Sequence, residues 1–331
     1  MQYTTLGRTG VQVSTLSFGT MSFGTTADET TSAAMFHRCR QAGVNVFDCA
    51  DVYGDGRSEE ILGRLLKTCR DDVVLATKVY FPTGKGPNDR GATRYHITRA
   101  VEASLKRLDT DRIDLYYLHR FDDRTALDET LRAIDDLVRQ GKILYPAVSN
   151  YAAWQTAKAL GVAALHNLSP IVCTQPMYNL AKRQAEVEIL PMAASENLAV
   201  MPYNPLGGGL LAGKYGAQRR PQEGRLVSNR MYQLRYANEE NFALAEAFTN
   251  LATQAGHHPA TLAIAWVNHH PAITSTLIGA RNVEQLDACL DAANLELSDE
   301  LYDAICALSR TPPPATDRNE ERMGHNYKAK R

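Results

Sequence analysis

The sequence predicts an α/β protein with the (β/α)8 TIM-barrel fold, an N-terminal β-hairpin and extra helices. Short β-type apolar runs alternate with amphipathic helical stretches along the chain, which favours a parallel sheet. Eight such units favour closure of the sheet into a barrel, with the functional loops after the strands. Because this rhythm leaves no linker, we expect one domain over residues 1–331, of which 312–331 form an irregular tail.

Each predicted strand is a short run of apolar and β-branched residues that stops at Gly or at polar residues. Residues Met1–Gly10 predict the hairpin, which turns at Gly7–Gly10 and would plug the bottom of the barrel. Strands two, three and four end at Asp48, Lys78 and His119. The other strands are predicted at Thr15–Thr20, Ile143–Ser149, Ile171–Gln175, Leu198–Tyr203 and Ile273–Ile278.

The predicted helices follow these strands, and several begin at a capping residue. Asp28 caps a helix that stops at Gly43, Thr93 caps the third, and Thr125 with Asp128 opens the fourth. Two Gly-containing segments, Tyr80–Gly91 and Pro205–Asn238, are interpreted as long loops around the mouth. Further helices are predicted at Ser58–Cys69, Ala152–Leu165, Arg183–Glu196, Asn241–Gly256, Ala260–Asn268, from Val283 onward, and from Ser298 to Leu308.

Composition argues against several classes of protein. The 331 residues carry a formal charge of −1, with 44% hydrophobic and 22% charged residues, as in ordinary globular chains. Near-neutral charge argues against nucleic-acid binding, and no apolar run approaches a membrane span or a signal peptide. Six cysteines without a C-x-x-C pair are interpreted as reduced thiols of a cytoplasmic protein. The oligomeric state stays open, and a homo-oligomer is compatible with the sequence.

Four chemically active side chains, Asp48, Tyr53, Lys78 and His119, lie at or just after the ends of three successive predicted strands. Since the carboxyl ends of parallel barrel strands meet at one face, we expect these side chains in one mouth. The alternative is a plain buried ion pair between Asp48 and Lys78, beside a histidine that only satisfies its own hydrogen bonds.

The motifs around these residues resemble those of the aldo-keto reductase superfamily, most closely its bacterial members related to potassium-channel β subunits. The resemblance covers nearly the whole chain, in family order. It implies NADP(H)-dependent reduction of an aldehyde or ketone to an alcohol by hydride transfer. The motifs are Phe47-Asp48-Cys49-Ala50-Asp51-Val52-Tyr53-Gly54, Thr77-Lys78, Leu118-His119-Arg120, Val148-Ser149-Asn150, Thr174-Gln175, Tyr203-Asn204-Pro205-Leu206 and Ile278-Gly279-Ala280-Arg281.

The resemblance implies a role for each of the four side chains. Tyr53 would give the proton to the substrate oxygen, although a free phenol, with a pKa of about 10, is a poor acid at neutral pH. The Lys78 ammonium would lower that pKa, and Asp48 would hold Lys78 charged and in place. His119 would donate or share a hydrogen bond at the substrate oxygen.

The resemblance also implies the cofactor site. Tyr203 would stack on the nicotinamide, and Ser149, Asn150 and Gln175 would bind its carboxamide. Arg281 and Gln285 would meet the adenosine, and Arg225 resembles the arginine that meets a 2′-phosphate. The full set expected around NADP(H) is Gly19, Thr20, Met21, Asp48, Ser149, Asn150, Gln175, Tyr203, Asn204, Pro205, Leu206, Gly208, Lys214, Arg225, Gly279, Arg281 and Gln285.

One glycine pattern has two readings. Gly207–Ala212 satisfies G-x-G-x-x-G/A after a strand, but neither a helix-and-strand unit nor an acidic partner follows it. We interpret it as a loop whose backbone approaches a pyrophosphate, with Lys214 nearby, and the alternative is a flexible surface loop. Two departures from the family pattern stand out: Ala288-Cys289 replaces a common Glu-Asn pair at the adenine, and Cys49 replaces a common Thr.

Other function classes are weaker. The pairs His257-His258 and His269-His270 make no tidy chelate, so we expect no metal site, and no G-x-S-x-G elbow indicates a hydrolase. The main competitor is a nucleotide-binding regulatory subunit on the same fold, with slow turnover. A third reading is an enzyme whose physiological direction is oxidation of an alcohol. The sequence does not identify the carbonyl substrate, whose pocket would come from variable loops.

Overall fold

The computed structural model describes residues 1–317 and confirms the (β/α)8 barrel. Its eight parallel strands are hydrogen-bonded in chain order, and the last strand pairs with the first. A parallel bridge between Tyr203 and Leu277 joins the seventh strand's end to the eighth strand and closes the circle. The barrel strands are β3 (Leu16–Gly19), β4 (Val46–Asp48), β5 (Val74–Val79), β6 (Ile113–Leu118), β7 (Ile143–Ser149), β8 (Cys173–Gln175), β9 (Ala199–Val200) and β10 (Thr276–Ile278), after the hairpin strands β1 (Tyr3–Thr5) and β2 (Gln12–Ser14).

The N-terminal hairpin closes the amino end of the barrel, as predicted. Its apolar Leu6 and Val13 are fully buried and pack against the side chains that fill the barrel interior. Gly7 has a φ of +52°, and a Cβ there would lie 2.9 Å from the carbonyl oxygens of Val172 and Asn197. Glycine is therefore required for this turn to sit under the barrel. The hairpin extends beyond the predicted Gly10, because its second strand runs to Ser14.

The helices pack against the barrel strands and against one another. Asp28, Thr93 and Ser298 cap helices through their side chains, as predicted. The described helices are α1 (Glu29–Gln41), α2 (Arg57–Leu66), α3 (Arg94–Leu108), α4 (Leu127–Arg139), α5 (Ala153–Leu165), α6 (Ile189–Ser195), α7 (Arg225–Ser228), α8 (Arg230–Tyr236), α9 (Glu239–Gln254), α10 (Pro259–His269), α11 (Val283–Leu290) and α12 (Asp299–Ala307).

The structure corrects three details of the predicted helices. The fourth helix is capped at Ala126 without a side-chain bond, because the Thr125 hydroxyl donates to Asp122 instead. The segment predicted as a helix from Arg183 is a short 3-10 turn followed by α6. The predicted loop Pro205–Asn238 contains two helices, α7 and α8, that fold over the carboxyl end of the barrel.

Two further observations concern the whole described chain. No helix among residues 1–317 is long and apolar enough to cross a membrane. The first part of the predicted tail, 312–317, has no helix or strand, and the rest of that prediction lies outside the described residues.

Candidate active site

The carboxyl ends of the barrel strands open into a cavity of about 760 Å³. The predicted site residues line this cavity, except for two that lie beneath its surface, Thr20 and Lys78. Thr20 does not line the cavity, because it is fully buried and its hydroxyl donates to the backbone oxygen of Asp48 at 3.1 Å. Lys78 lies beneath the cavity surface, with no exposed side-chain area. The predicted residues that line the cavity are Gly19, Met21, Asp48, Tyr53, His119, Ser149, Asn150, Gln175, Tyr203, Asn204, Pro205, Leu206, Gly208, Lys214, Arg225, Gly279, Arg281 and Gln285.

A buried ion pair forms the floor of this cavity. Asp48 ends β4 and Lys78 lies near the end of β5, so the parallel pairing of these strands brings both side chains to the same face. Lys78 Nζ donates to Asp48 Oδ1 and, at 2.8 Å, to the backbone oxygen of Cys49. Burial lowers the pKa of Lys78, but the charges of Asp48 and Tyr53 outweigh it and leave that pKa raised. The ammonium therefore stays protonated at neutral pH.

Tyr53 reaches the ion pair because the chain turns sharply after β4. The turn Tyr53–Gly56 contains Gly54, Asp55 and Gly56 at positive φ. The Tyr53 ring centre lies 5.2 Å from Lys78 Nζ. Burial raises the pKa of Tyr53 to about 12, and the Lys78 charge only partly opposes this rise. The expected net lowering of the Tyr53 pKa is thus absent, and the phenol is neutral at neutral pH.

His119 follows β6 and lies beside Tyr53. Its ring contacts Tyr53 and Phe81 edge-on, with ring centres 6.1 and 4.8 Å away. Burial, reinforced by the Lys78 charge, holds the pKa of His119 well below its usual value, so the imidazole is neutral. Its Nδ1 is buried without a hydrogen-bond partner within residues 1–317. A neutral imidazole has one N–H donor. The Tyr53 phenol and the His119 imidazole therefore lie side by side as two neutral hydrogen-bonding groups.

A chain of polar side chains forms one wall above the floor. The Tyr203 hydroxyl donates to Asn150 Oδ1 at 2.8 Å, and Asn150 Nδ2 donates to the His119 backbone oxygen at 2.9 Å. The Ser149 hydroxyl donates to the Gln175 backbone oxygen at 3.0 Å. These bonds fix an aromatic ring and two polar side chains on neighbouring strand ends. The wall therefore suits a flat ring that carries an amide.

The glycine pattern after β9 forms a tight turn, Gly207–Gly209, in which all three residues have positive φ. Asn204 accepts the Gly208 N–H at 2.6 Å through its side chain. A Cβ on Gly208 would lie 2.5 Å from the Tyr232 ring, so only glycine fits under α8. The turn is packed rather than a flexible surface loop, and it opens no strand-helix-strand unit.

Three cations meet at the far end of the cavity, Lys214, Arg225 and Arg281. Burial, together with the charges of Arg281 and Arg225, lowers the pKa of Lys214. None of the three has an ion pair within 4.0 Å among residues 1–317. The sequence predicted no acidic residue beside Arg281, but the exposed Glu284 lines the same end of the cavity. This arrangement suits an anionic group with more than one charge.

Sequence reasoning missed several lining residues. Tyr232 and Arg235 come from α8, and Phe81 and Arg120 flank His119. The richness of Pro205–Asn238 in Arg and Tyr was the available signal for the first two. The positions of Tyr232 and Arg235 depend on how α8 folds back over the barrel, and a local sequence pattern does not specify that packing.

Two groups beside the floor have unusual protonation. The Cys49 thiol is buried against Ser58 Oγ at 3.1 Å, and burial raises its pKa to about 12, as expected for a packed thiol. Asp51 is buried with no hydrogen bond to either carboxylate oxygen among residues 1–317. Burial, then the charge of Glu59, raises the pKa of Asp51 to about 8, although Arg107 and Lys78 oppose the rise.

Comparisons with known proteins agree with this geometry. A sequence model of the aldo/keto reductase family matches residues 15–310. The chain is 39% identical over 316 residues to an uncharacterized oxidoreductase, YrpG, of Bacillus subtilis, covering 91% of this chain and 94% of that one. It is 36% identical over 326 residues to a probable voltage-gated potassium channel subunit beta of rice, covering 96% and 99% of the two chains. An Arabidopsis thaliana protein of the same description is 35% identical over 307 residues, covering 89% and 92%. The chain belongs to the aldo/keto reductase family.

Proposed function

We propose that this protein is an NADP(H)-dependent oxidoreductase that reduces an aldehyde or ketone to an alcohol. One observation carries the proposal: a neutral phenol, a buried ammonium and a neutral imidazole meet at the inner end of a cavity whose outer end holds three cations. Family membership supports the oxidoreductase class. The NADP preference, the direction of reaction and the roles of individual residues are part of the proposal.

The proton chemistry follows from the protonation states. The carbonyl oxygen gains negative charge during reduction and needs a proton. Tyr53 is protonated at neutral pH and can give its proton, and Lys78 stabilises the phenolate that remains. Asp48 holds Lys78 protonated and in place, so the ammonium stays beside Tyr53 from one turnover to the next. His119 donates a hydrogen bond that orients the carbonyl against Tyr53.

The residues along the cavity fit a nicotinamide dinucleotide. When bound, its nicotinamide supplies the hydride that no side chain can provide. Tyr203 offers a ring face for stacking, and Ser149, Asn150 and Gln175 offer donors and acceptors for the carboxamide. The Gly207–Gly209 turn allows the pyrophosphate to approach the backbone closely. Ala288 and Cys289 line the adenine end, where they offer van der Waals contact in place of side-chain amides.

The three cations support NADP(H) over NAD(H). The two cofactors differ by one 2′-phosphate, and Arg225, Arg281 and Lys214 supply positive charge at one end of the cavity. A guanidinium matches phosphate oxygens with a planar pair of donors. Glu284 lies at the same end but makes no ion pair with Arg281 within 4.0 Å. We therefore assign the 2′-phosphate to this cluster.

The remaining parts of the proposal concern partners and location. The only partner proposed is a small carbonyl compound that enters the cavity beside Met21 and Phe81. All six cysteines are free, which suits a reducing cytoplasm.

A second candidate is a cofactor-binding regulatory subunit with slow turnover. The names of the rice and Arabidopsis relatives favour this reading, and a tight-binding subunit could keep the same four residues. Turnover number separates the two candidates. An enzyme releases the oxidised cofactor in each cycle, whereas a regulatory subunit stops after about one.

The experiment is a panel of small aliphatic and aromatic aldehydes and ketones, mixed with NADPH and followed by the loss of its near-ultraviolet absorbance. We expect many turnovers with at least one aldehyde. Purified Tyr53→Phe protein serves as the control for adventitious reductase activity. A single turnover across the whole panel, with cofactor retained on the protein, would favour the regulatory subunit and count against the enzyme.

A further inference from the structure

Helix α8 is joined to the glycine turn by one phenol. Tyr236, its last residue, is fully buried, and its hydroxyl makes three hydrogen bonds. It accepts from Asn204 Nδ2 at 2.7 Å and from Asn179 Nδ2 at 3.0 Å, and it donates to Met177 Sδ at 3.2 Å. The oxygen's two lone pairs and its proton are therefore all used.

Asn204 connects Tyr236 to the glycine turn, Gly207–Gly209. Its side-chain oxygen accepts the Gly208 N–H at 2.6 Å, and its backbone oxygen accepts the Gly207 N–H at 2.9 Å. Asn204 has a φ of +64°, in the left-handed region that asparagine adopts more readily than most residues with a side chain. The bond to Tyr236 thus holds the orientation of the Asn204 amide at the residue from which the turn begins.

The same helix covers the turn. The ring of Tyr232 lies where any side chain on Gly208 would stand, and it stacks on Tyr236 at 6.4 Å between ring centres. Arg225 and Arg235 flank Tyr232, with guanidinium carbons 5.5 and 5.8 Å from its ring centre. Helices as short as α7 and α8 are not stable alone, so contacts of this kind keep them in place.

We propose that Tyr236 is a latch: through Asn204 it fixes the Gly207–Gly209 turn and the covering helix α8 together, and it thereby sets how long the dinucleotide stays bound. This inference rests on the proposed function, because it takes the dinucleotide to lie along that turn. Release of the dinucleotide requires the segment 225–236 to move off the turn, and this movement breaks the bond between Tyr236 and Asn204. Tyr236 is a positioning residue, since it does not line the cavity.

The test replaces one hydroxyl. Tyr236→Phe keeps the ring and its stacking but removes the acceptor of two amide donors. We expect NADPH to dissociate about five- to tenfold faster, with its dissociation constant raised by a similar factor. Release is measured by stopped-flow chase of bound NADPH fluorescence with excess NADP⁺. The matched control is Tyr116→Phe, another buried phenol, whose hydroxyl has no hydrogen-bond partner within residues 1–317.

A double-mutant comparison separates the latch from a general loss of packing. Asn204→Ala removes the amide that connects Tyr236 to the turn. In that background, Tyr236→Phe should add less than about twofold to the release rate, because the connection is already gone. For the single variant Tyr236→Phe, steady-state kinetics should show a raised KM for NADPH without a fall in kcat, since the residues around the substrate are untouched.

The outcomes are distinct. If NADPH does not bind the unmodified protein, the proposed function fails. If it binds and leaves Tyr236→Phe at the unmodified rate, or if Tyr116→Phe accelerates release equally, the latch is wrong. Should Tyr236→Phe not fold, Asn179→Ala carries the test, because the Asn179 amide donates at 3.0 Å both to the Tyr236 hydroxyl and to the Asn204 backbone oxygen, so both partners of the latch lose a donor. An unchanged release rate in that variant also overturns the latch.

Discussion

The side-chain amide of Gln175 donates to Asp48 Oδ2 at 2.9 Å, from the end of β8 to the end of β4 across the barrel mouth. The other oxygen of the same carboxylate holds Lys78. The carboxylate therefore joins the proposed proton-donating side of the site to the side proposed for the nicotinamide. Any ligand that recruits the Gln175 amide also changes the partners of Asp48.

Gln175→Ala tests this coupling. The change removes a proposed carboxamide ligand and leaves a buried carboxylate oxygen without its donor. We expect the free energy of unfolding to fall by about 1–3 kcal/mol and the NADPH dissociation constant to rise about tenfold. Urea denaturation and fluorescence titration measure the two effects. The exposed Gln140→Ala should change neither, and equal NADPH affinity in Gln175→Ala would remove Gln175 from the cofactor site.

Tyr53→Phe tests the proton donor. The substitution removes the hydroxyl but keeps the ring beside His119 and Lys78. We expect the rate of carbonyl reduction to fall by roughly two orders of magnitude or more, with NADPH affinity changed less than about twofold. Single-turnover reduction of a good aldehyde gives the rate. The control is Tyr95→Phe, whose side chain is exposed, and reduction by Tyr53→Phe at nearly the unmodified rate would contradict the assignment.

Arg281→Ala tests the cofactor preference. A charge-assisted contact with the 2′-phosphate contributes about 1.5–3 kcal/mol, so we expect NADPH to bind roughly ten- to a hundredfold more tightly than NADH. Removing Arg281 should narrow that ratio and leave NADH affinity almost unchanged. Both cofactors are titrated by quenching of protein fluorescence. Arg132→Ala, on the exposed face of α4, is the control, and equal affinities in the unmodified protein would refute the preference.

Asp51 predicts a pH dependence of stability. Its pKa is about 8 in the folded protein and near the usual 3.8 when unfolded, so the folded state binds the extra proton between these values. The contribution of Asp51 to stability is therefore greatest at acid pH and is lost as pH rises from about 4 to about 8. Asp51→Asn should remove this contribution, so the loss of unfolding free energy between pH 5 and pH 9 should be smaller by an amount on the order of 4 kcal/mol, at about 1.4 kcal/mol per pKa unit.

The measurement is chemical denaturation of both proteins near pH 5 and near pH 9. The charged or titratable groups that act on Asp51 or share its surroundings are Glu59, Arg107, Lys78 and Tyr116, and all four are present in both proteins. The exposed Asp303→Asn serves as the control. An identical slope of stability against pH in the Asp51→Asn protein would show that the carboxyl does not carry this dependence.

Much of the barrel and of its mouth was predictable from sequence, because both depend on local order along the chain. Short apolar runs between helical stretches predicted the strands. Asp48, Lys78 and His119 were then found by their position at the strand ends. Parallel topology then brought them together without further information. The capping residues Asp28, Thr93 and Ser298 were predictable for the same reason.

The unpredicted features depend on tertiary contacts. Helices α7 and α8 have four and seven residues, too few for a periodic pattern, and α8 is held by Tyr232 and Tyr236. Thr125 lost its expected cap because Asp122 competes for its hydroxyl. The raised pKa of Tyr53 likewise depends on burial, which the sequence motif does not reveal.

The hairpin at the amino end also has a consequence for how the chain is made. Leu6 and Val13 are buried against interior side chains drawn from strands as distant in sequence as Val46 and Met201. Those partners come together only after most of the chain has left the ribosome, since synthesis proceeds from the amino terminus. The hairpin is thus made before the barrel strands that bury it. Its docking marks the completion of the barrel, and a nascent chain must keep two apolar side chains soluble until then.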